Sequence, residues 1–208
     1  MEEPWTLGAE STIYLIERWG RPLLLKHRPK KPYLLESIDA HLRSSRTNRE
    51  CKMLTVAREL SVPTPAVHWV DLAEHTIVMD YIDGKQLRQL ANEVSSEDLR
   101  SLCNEFGRLI GLLHSGDIVH GDPTTSNVLI DKNSKMWLID FGLAEMNATV
   151  ETKGVDLHLM KRAFETTHWE LQDVMLDASL EGYRKHYGLD AESIIQRMEE
   201  IRERGRYH

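Results

Sequence analysis

Three side chains carrying hard oxygen atoms, Asp122, Asn127 and Asp140, stand within one stretch, HGDPTTSNVLIDKNSKMWLIDFG (120–142). Carboxylate and amide oxygens suit Mg2+, which takes part of its coordination shell from phosphate oxygens. The Asp-x4-Asn spacing inside one loop sets Asp122 and Asn127 side by side. Two apolar runs, Val128–Ile130 and Met136–Ile139, flank a polar DKNSK turn, and a hairpin of that kind returns Asp140 to the same end. Gly142 lets the backbone turn sharply just beyond it. Such a trio can hold a metal-bound triphosphate and orient an attacking oxygen, which is most of what phosphoryl transfer requires.

A phosphate site also needs positive charge. Lys26 ends the apolar run PLLLK (22–26), so its ammonium emerges from a packed surface and needs an anion to hold it. Glu50, on the helical stretch that follows, can supply that anion and aim the ammonium at the α- and β-phosphates. Taken singly, both are ordinary surface residues; the downstream trio gives them their meaning.

The elements that must position these groups can be read from the pattern. Thr12–Arg18 and Pro22–Lys26 are β-prone runs joined by a Trp-Gly-Arg turn, which predicts a hairpin. Met53, Val56, Ala57 and Leu60 recur at helical spacing, so a helix is expected over Arg46–Leu60, ended by Pro63 and Pro65. Strands are expected at Ala66–Leu72 and Thr76–Tyr81, with a break at Asp83-Gly84. Ser95 and Asp98 have capping-box spacing at the head of a helix bearing Leu99, Leu102, Cys103, Phe106, Leu109, Ile110 and Leu113 on one face. Two or three helices close the chain. The expected class is therefore α+β, with a strand-rich lobe at 1–82 and a helix-rich lobe at 83–208.

Bulk properties narrow the function classes. The 208 residues are 41% hydrophobic and 28% charged, as in a soluble globular protein. No apolar run approaches a membrane span, and the acidic start MEEPWTLGAE lacks the order of a signal peptide. Cys51 and Cys103 make neither a disulfide framework nor a metal cluster, so a reducing, cytoplasmic setting is expected. A net charge of −7 argues against bulk nucleic-acid binding. The basic run KHRPKKP (26–32), with Arg43, Arg46 and Arg49 after it, reads as a solvated face, whereas Arg202, Arg204 and Arg206 near the end are kept as a candidate phosphate-backbone contact.

The order strand-lysine, helix-glutamate, HGD-x4-N and DFG resembles the protein-kinase fold. The fuller match, in GAES-x-IY (8–14), Arg46-Thr47-x-x-Glu50, HGDPTTSN and Glu151-Thr-Lys-Gly-Val-Asp156, resembles the small atypical kinase of the KEOPS complex, the PRPK family. That resemblance implies a minimal bilobal kinase-like fold with ATP and Mg2+ as cofactors. Asp122 would be the catalytic aspartate, assisted by Lys26, and Asn127 and Asp140 the Mg2+ ligands. Gly8, Ala9 and Glu10 would cover ATP, which Lys26 and Glu50 would also help to hold. Met79 would be the gatekeeper, with Asp80, Tyr81 and Ile82 as the hinge. Asp156 would support the catalytic-loop backbone, and His120 reads as a packed, hydrogen-bonded histidine. Thr124, Thr125 and Ser126 read as loop spacers rather than modification sites. The resemblance further implies a regulatory role in forming N6-threonylcarbamoyladenosine on tRNA. It places the threonylcarbamoyl-transferring subunit on the C-lobe and a small partner protein on the N-lobe. On this reading Asp140→Ala abolishes Mg2+-ATP turnover.

The sequence also departs from its relatives. Gly121 stands where ordinary protein kinases carry arginine, and Gly8-Ala9-Glu10-Ser11 has one glycine where they have a Gly-rich loop. No Ala-Pro-Glu follows Asp140, and the short remainder makes docking of a generic peptide doubtful. The family normally has leucine at Pro123 and an acidic residue at Thr152. Proline fixes φ and biases Asp122 away from the helical region; we read it as a stiffening replacement, the alternative being a re-aimed Asp122 with lower turnover. Two other functions share the motifs. Aminoglycoside- and choline-type kinases use a similar loop but carry a larger C-terminal lobe. A pseudokinase scaffold would bind without turnover, against which the full set of five polar residues argues. A RIO-like serine kinase is nearer in size, with TTSN favouring the KEOPS branch.

Overall fold

A computed structural model of the chain describes residues 5–7 and 11–205. The first region is a five-stranded antiparallel sheet built from β1 (Thr6–Leu7), β2 (Thr12–Arg18), β3 (Arg21–His27), β4 (Val67–Asp71) and β5 (Thr76–Asp80), in the order β1-β2-β3-β5-β4. The expected hairpin is there, closed by Trp19 and Gly20 with φ of 53° and 71°. Two successive left-handed residues match the right-handed twist of the flanking strands. In the register of the sheet, Ile13 lies opposite Lys26 and Leu24 opposite Met79. Since strand side chains alternate, Leu24 and Lys26 share one face.

Between β3 and β4 runs α1 (Glu36–Glu59), ten residues longer at its start than the helix expected from Arg46. Its buried face, Thr47, Glu50, Met53, Leu54 and Ala57, runs from the middle of the helix to its end. The first half lies mostly at the surface, with Leu35, Ile38 and Leu42 exposed. It is tied down instead by Asp39, which pairs with Arg43 at 2.7 Å and accepts the Lys31 N–H. A pattern built on core contacts therefore sees only the last turns. On that face Glu50 sits one turn above Leu54, so apolar packing below holds the carboxylate in place.

The second region surrounds α3 (Ser96–Ser115), whose N-cap Ser95 accepts the Asp98 N–H at 3.1 Å. A three-stranded sheet, ordered β6-β8-β9, lies across it: β6 (Gly84–Gln86), β8 (Val128–Asp131) and β9 (Met136–Leu138). Gly84, expected as a break, thus begins a strand, and a Cβ there would lie 2.6 Å from the Ile130 carbonyl oxygen. A short α2 (Leu87–Leu90) follows β6, and β7 (Ile118–Val119) pairs with β10 (Glu145–Met146). Three helices finish the chain: α4 (Val150–Thr167), α5 (Gln172–Tyr187) and α6 (Ala191–Gly205). One apolar cluster runs from Met53 and Ile77 under the first sheet to Phe106, Phe141 and Met160 in the helical region. The α+β class and the kinase-like arrangement of sheet and helices are therefore present. Among the described residues, no helix is long and apolar enough to cross a membrane.

Helices α3 and α5 meet through two glycines. A Cβ on Gly107 would fall 1.7 Å from the Ser179 carbonyl oxygen, and one on Gly182 would fall 1.9 Å from that of Asn104. In an exposed helix, Gly→Ala stabilises by about 1 kcal/mol. Here the order reverses, because backbone cannot yield as a side chain does. Gly107→Ala is expected to destabilise by at least about 3 kcal/mol, read as a lowered midpoint in thermal or urea unfolding.

Candidate functional site

The open end of β3 and the middle of α1 bring opposite charges together under the first sheet. Lys26 Nζ donates to Glu50 Oε1 at 2.7 Å and to Asp140 Oδ1 at 2.9 Å. The lysine is 6% exposed and Glu50 1%, while the Asp140 side chain is about half exposed, at 47%. Burial alone would lower the Lys26 pKa, but the charges of Glu50 and Asp140 outweigh it and hold the ammonium above its ordinary value. Burial likewise pushes the Asp140 carboxyl up, and Lys26, helped by His120 and Arg28, pulls it net below the usual carboxylate range.

Asp140 has φ of +62°, a left-handed conformation that aspartate tolerates better than most residues. That turn sends Phe141 into the core, fully buried, its ring 4.6 Å from the His120 ring. Asn127 donates through Nδ2 to the Asp122 carbonyl (2.9 Å) and to Asp122 Oδ2 (2.8 Å). The Ile139 N–H donates to the Asn127 carbonyl at 3.0 Å, so the residue before Asp140 is bonded to Asn127. Asp122, Asn127 and Asp140 are thereby drawn into one neighbourhood.

Asn127 and Asp140 border a cavity of about 200 Å3 together with Lys26, Glu50, Met79, Asp80 and Ile82, while Asp122 is not part of its lining. Ile13 and Leu24 roof it from the first sheet, and Leu129 and Gln86 close it from the second, with Pro65, Ser126 and Ile139 completing the wall. An apolar slot with charged groups at one end suits a flat base carrying phosphates. A larger cavity, about 810 Å3, lies elsewhere, by Lys85, Ile130 and Leu102, and none of the candidate groups borders it. Size is therefore a poor guide here; the converging polar groups mark the smaller cavity.

The donor set fits a hard divalent cation. With Nδ2 of Asn127 engaged by Asp122, its amide oxygen is left as the free end, and the half-exposed Asp140 carboxylate offers another oxygen. Bound there, Mg2+ would be held by Asn127 and Asp140 and would neutralise charge on phosphate oxygens. Among the described residues no three His, Cys, Asp or Glu side chains converge on a metal position, so most of the shell would come from phosphate and water.

Asp156, on α4, accepts the N–H of His120 at 2.9 Å and that of Gly121 at 2.8 Å, with His114 Nε2 at 3.1 Å. Burial raises its carboxyl, yet the His114 hydrogen bond and charge, with His120, leave it below the ordinary value. His120 is 1% exposed; its Nε2 reaches the Ile139 carbonyl at 3.1 Å and its Nδ1 accepts the Asp122 N–H at 3.3 Å. Gly121 has φ of +82°, and a Cβ there would lie 2.2 Å from the Leu143 carbonyl oxygen. No arginine can occupy that position in this backbone.

The remaining expected residues divide. Tyr81 does not border the cavity; its ring meets Trp5 edge-on at 5.4 Å. Gly8, Ala9, Glu10 and Arg206 lie outside the described residues. Arg202 and Arg204 sit on α6, paired with Glu199 at 3.2 Å and Glu151 at 3.4 Å. Thr125 is buried against His168 at 2.9 Å. Thr152 forms a reciprocal capping box with Thr149, a task an acidic residue at that position performs elsewhere. Arg28 corrects the reading of the KHRPKKP run as a solvated face: it is 3% exposed and donates to Glu50 Oε2.

Pro123 is buried, and the Thr124 N–H donates across it to the Asp122 carbonyl at 2.8 Å. A three-residue turn of that kind wants a central φ near −75°, close to the value proline imposes. Pro123→Leu is expected to leave ATPase activity within about twofold, a rate change worth about 0.4 kcal/mol; a several-fold rise in steady-state hydrolysis would count against this reading.

A family model described as the RIO domain matches residues 36–167. The KEOPS complex subunit Bud32 of Pyrococcus abyssi is 42% identical over 207 residues, covering 96% of this chain and 94% of that protein. The chain belongs to the RIO-domain family, in its Bud32 branch. The RIO likeness and the KEOPS likeness are thus one relationship rather than alternatives. Two further relatives are longer proteins. A probable bifunctional tRNA threonylcarbamoyladenosine biosynthesis protein of Methanosarcina barkeri is 37% identical over 201 residues, 96% of this chain and 35% of its own length. Its counterpart in Methanothermobacter thermautotrophicus is 38% identical over 200 residues, with 96% and 36% covered. The chain spans about a third of these two bifunctional relatives. Membership of the RIO-domain family, whose members are atypical kinases or ATPases, assigns phosphotransferase chemistry in general, with ATP and a divalent metal.

Proposed function

We propose that this chain is the Mg2+-ATP-dependent kinase or ATPase subunit of a KEOPS complex, acting in formation of N6-threonylcarbamoyladenosine on tRNA. The observation that carries the reading is the meeting of Lys26, Asn127 and Asp140 at one cavity, in a chain 42% identical to a KEOPS Bud32 subunit. Lys26, braced by Glu50, takes the α- and β-phosphates, while Asn127 and Asp140 hold the metal. Asp122, fixed by its hydrogen bonds to Asn127, orients the attacking oxygen, which is a serine or threonine hydroxyl or water. Met79 and the backbone of Asp80 and Ile82, which border the cavity, take the adenine.

The cavity lies between a lobe at residues 1–82 and a lobe at 83–208. On this reading the first lobe docks the small partner protein and the second docks the threonylcarbamoyl-transferring subunit. Because Arg202 and Arg204 are paired within the fold, a tRNA contact there requires phosphates to displace Glu199 and Glu151. The cellular setting is cytoplasmic.

The test is ATP hydrolysis by the purified chain, alone and with tRNA and the transferase partner. Stimulation only in the assembly supports the KEOPS role. Robust phosphorylation of free aminoglycosides or choline, without stimulation by the partner, would replace it with small-molecule transfer.

A further inference from the structure

The Lys26–Glu50 pair has a third member that phosphoryl transfer as set out above does not use. Arg28, two residues along β3, is 3% exposed and donates through Nη2 to Glu50 Oε2, while Lys26 takes Oε1. Its Nη1 reaches Thr47 Oγ1 at 3.5 Å, one turn before Glu50 on α1. Nη2 also lies 3.1 Å from where a Cβ on Gly142 would stand, so the guanidinium covers the Asp-Phe-Gly turn. Its Nε, by contrast, is buried with no hydrogen-bond partner. A buried guanidinium with an unsatisfied donor is costly to keep, and packing alone would be served by an apolar side chain.

We propose that Arg28 is a positioning residue that sets affinity for the polyphosphate by dividing the charge of Glu50. Four charges meet here, Lys26 and Arg28 against Glu50 and Asp140, and they sum to zero. With Arg28 on one carboxylate oxygen, Glu50 braces Lys26 without capturing it, and the ammonium stays shared with Asp140, facing the cavity. Remove Arg28 and the cluster carries net negative charge where phosphates must bind; Glu50 then draws Lys26 fully to itself. The loss falls on the phosphate end of the ligand and leaves the adenosine end unaffected, because none of the atoms Arg28 touches belongs to the hinge.

This inference rests on the nucleotide-site reading and is tested by calorimetric titration of the full chain with Mg2+-ATP and, separately, with adenosine. A wild-type chain that binds neither sinks the nucleotide reading itself. Given wild-type binding, Arg28→Met should weaken ATP about tenfold or more, some 1.4 kcal/mol, with adenosine within twofold. Arg28→Lys, which keeps a cation on Glu50, should hold ATP within threefold. The same Met substitution in a Glu50→Gln background should cost clearly less ATP affinity than it does in the wild type, because the charge to be divided is gone. Equal weakening of ATP and adenosine in Arg28→Met, or an undiminished loss in the Gln background, would overturn the proposal. If Arg28→Met does not fold, Arg28→Lys decides alone: tenfold weaker ATP binding refutes a charge-dividing role, and near-wild-type binding supports it.

Discussion

Asp140→Asn is expected to cut Mg2+-dependent ATP turnover by at least about a hundredfold while leaving the fold intact. The choice of asparagine follows from the backbone. Asp140 holds φ of +62°, which asparagine accepts readily, whereas alanine there adds roughly 1 kcal/mol of strain. An Asp140→Ala variant therefore mixes loss of a ligand with loss of a turn. The Asn variant keeps shape and one oxygen but removes the charge that meets Lys26 at 2.9 Å and that would face the metal. Lys26 retains Glu50 at 2.7 Å, so no buried cation is stranded and the thermal midpoint should move by only a few degrees. The residual turnover should also need more Mg2+ for half-saturation, since one of two protein ligands has lost its charge. Wild-type turnover at ordinary Mg2+ in a folded Asn variant would remove Asp140 from the metal site, and with it the assignment of Asn127.

The parts of this site that lie close in the chain were legible in the sequence. Asp122 and Asn127 share one loop, and a hairpin of two short apolar runs is enough to bring Asp140 back to them. The observed bond from the Ile139 N–H to the Asn127 carbonyl is the product of that hairpin. Lys26 and Glu50 needed the downstream trio to be singled out, because a strand-ending lysine and a helical glutamate are individually commonplace. Arg28 was hidden for a physical reason. Charged residues in a run of lysines and arginines are usually solvated, and only the depth of Glu50, one turn above Leu54 on α1, shows that one arginine must follow it inward. The first half of α1 escaped because its apolar residues face outward and Asp39 does the anchoring. Strands β6, β7 and β10 have two or three residues each. Their existence depends on partners far along the chain, such as Val119 opposite Glu145, and so they leave no local signal. Gly121 was noticed as a departure, but its cause, the Leu143 carbonyl, is a contact across the catalytic turn that spacing does not reveal.

Asp156→Ala is expected to be the most destabilising change at the site, by about 3–5 kcal/mol. The carboxylate is 1% exposed and serves three donors, the His120 and Gly121 N–H groups and His114. Alanine leaves those donors buried without an acceptor, and each such group forfeits its solvation in full. For a chain of this length, the loss lowers the thermal midpoint by roughly 6–20 °C. Acid should reveal the same group in the wild type. Its folded-state pKa lies below the unfolded value of about 3.9, so its contribution is complete above that pH and disappears as pH falls through the folded pKa. The variant should lack that part of the acid limb, giving a flatter stability curve below about pH 4. Turnover should fall with stability even where the variant stays folded. The two N–H groups set free belong to His120 and Gly121, and the His120 ring accepts the Asp122 N–H. A midpoint within about 2 °C of wild type, with an unchanged acid limb, would mean that solvent or another side chain supplies the missing acceptor. The catalytic loop would then hold its shape without α4, and the route by which the helical region fixes Asp122 would have to run elsewhere.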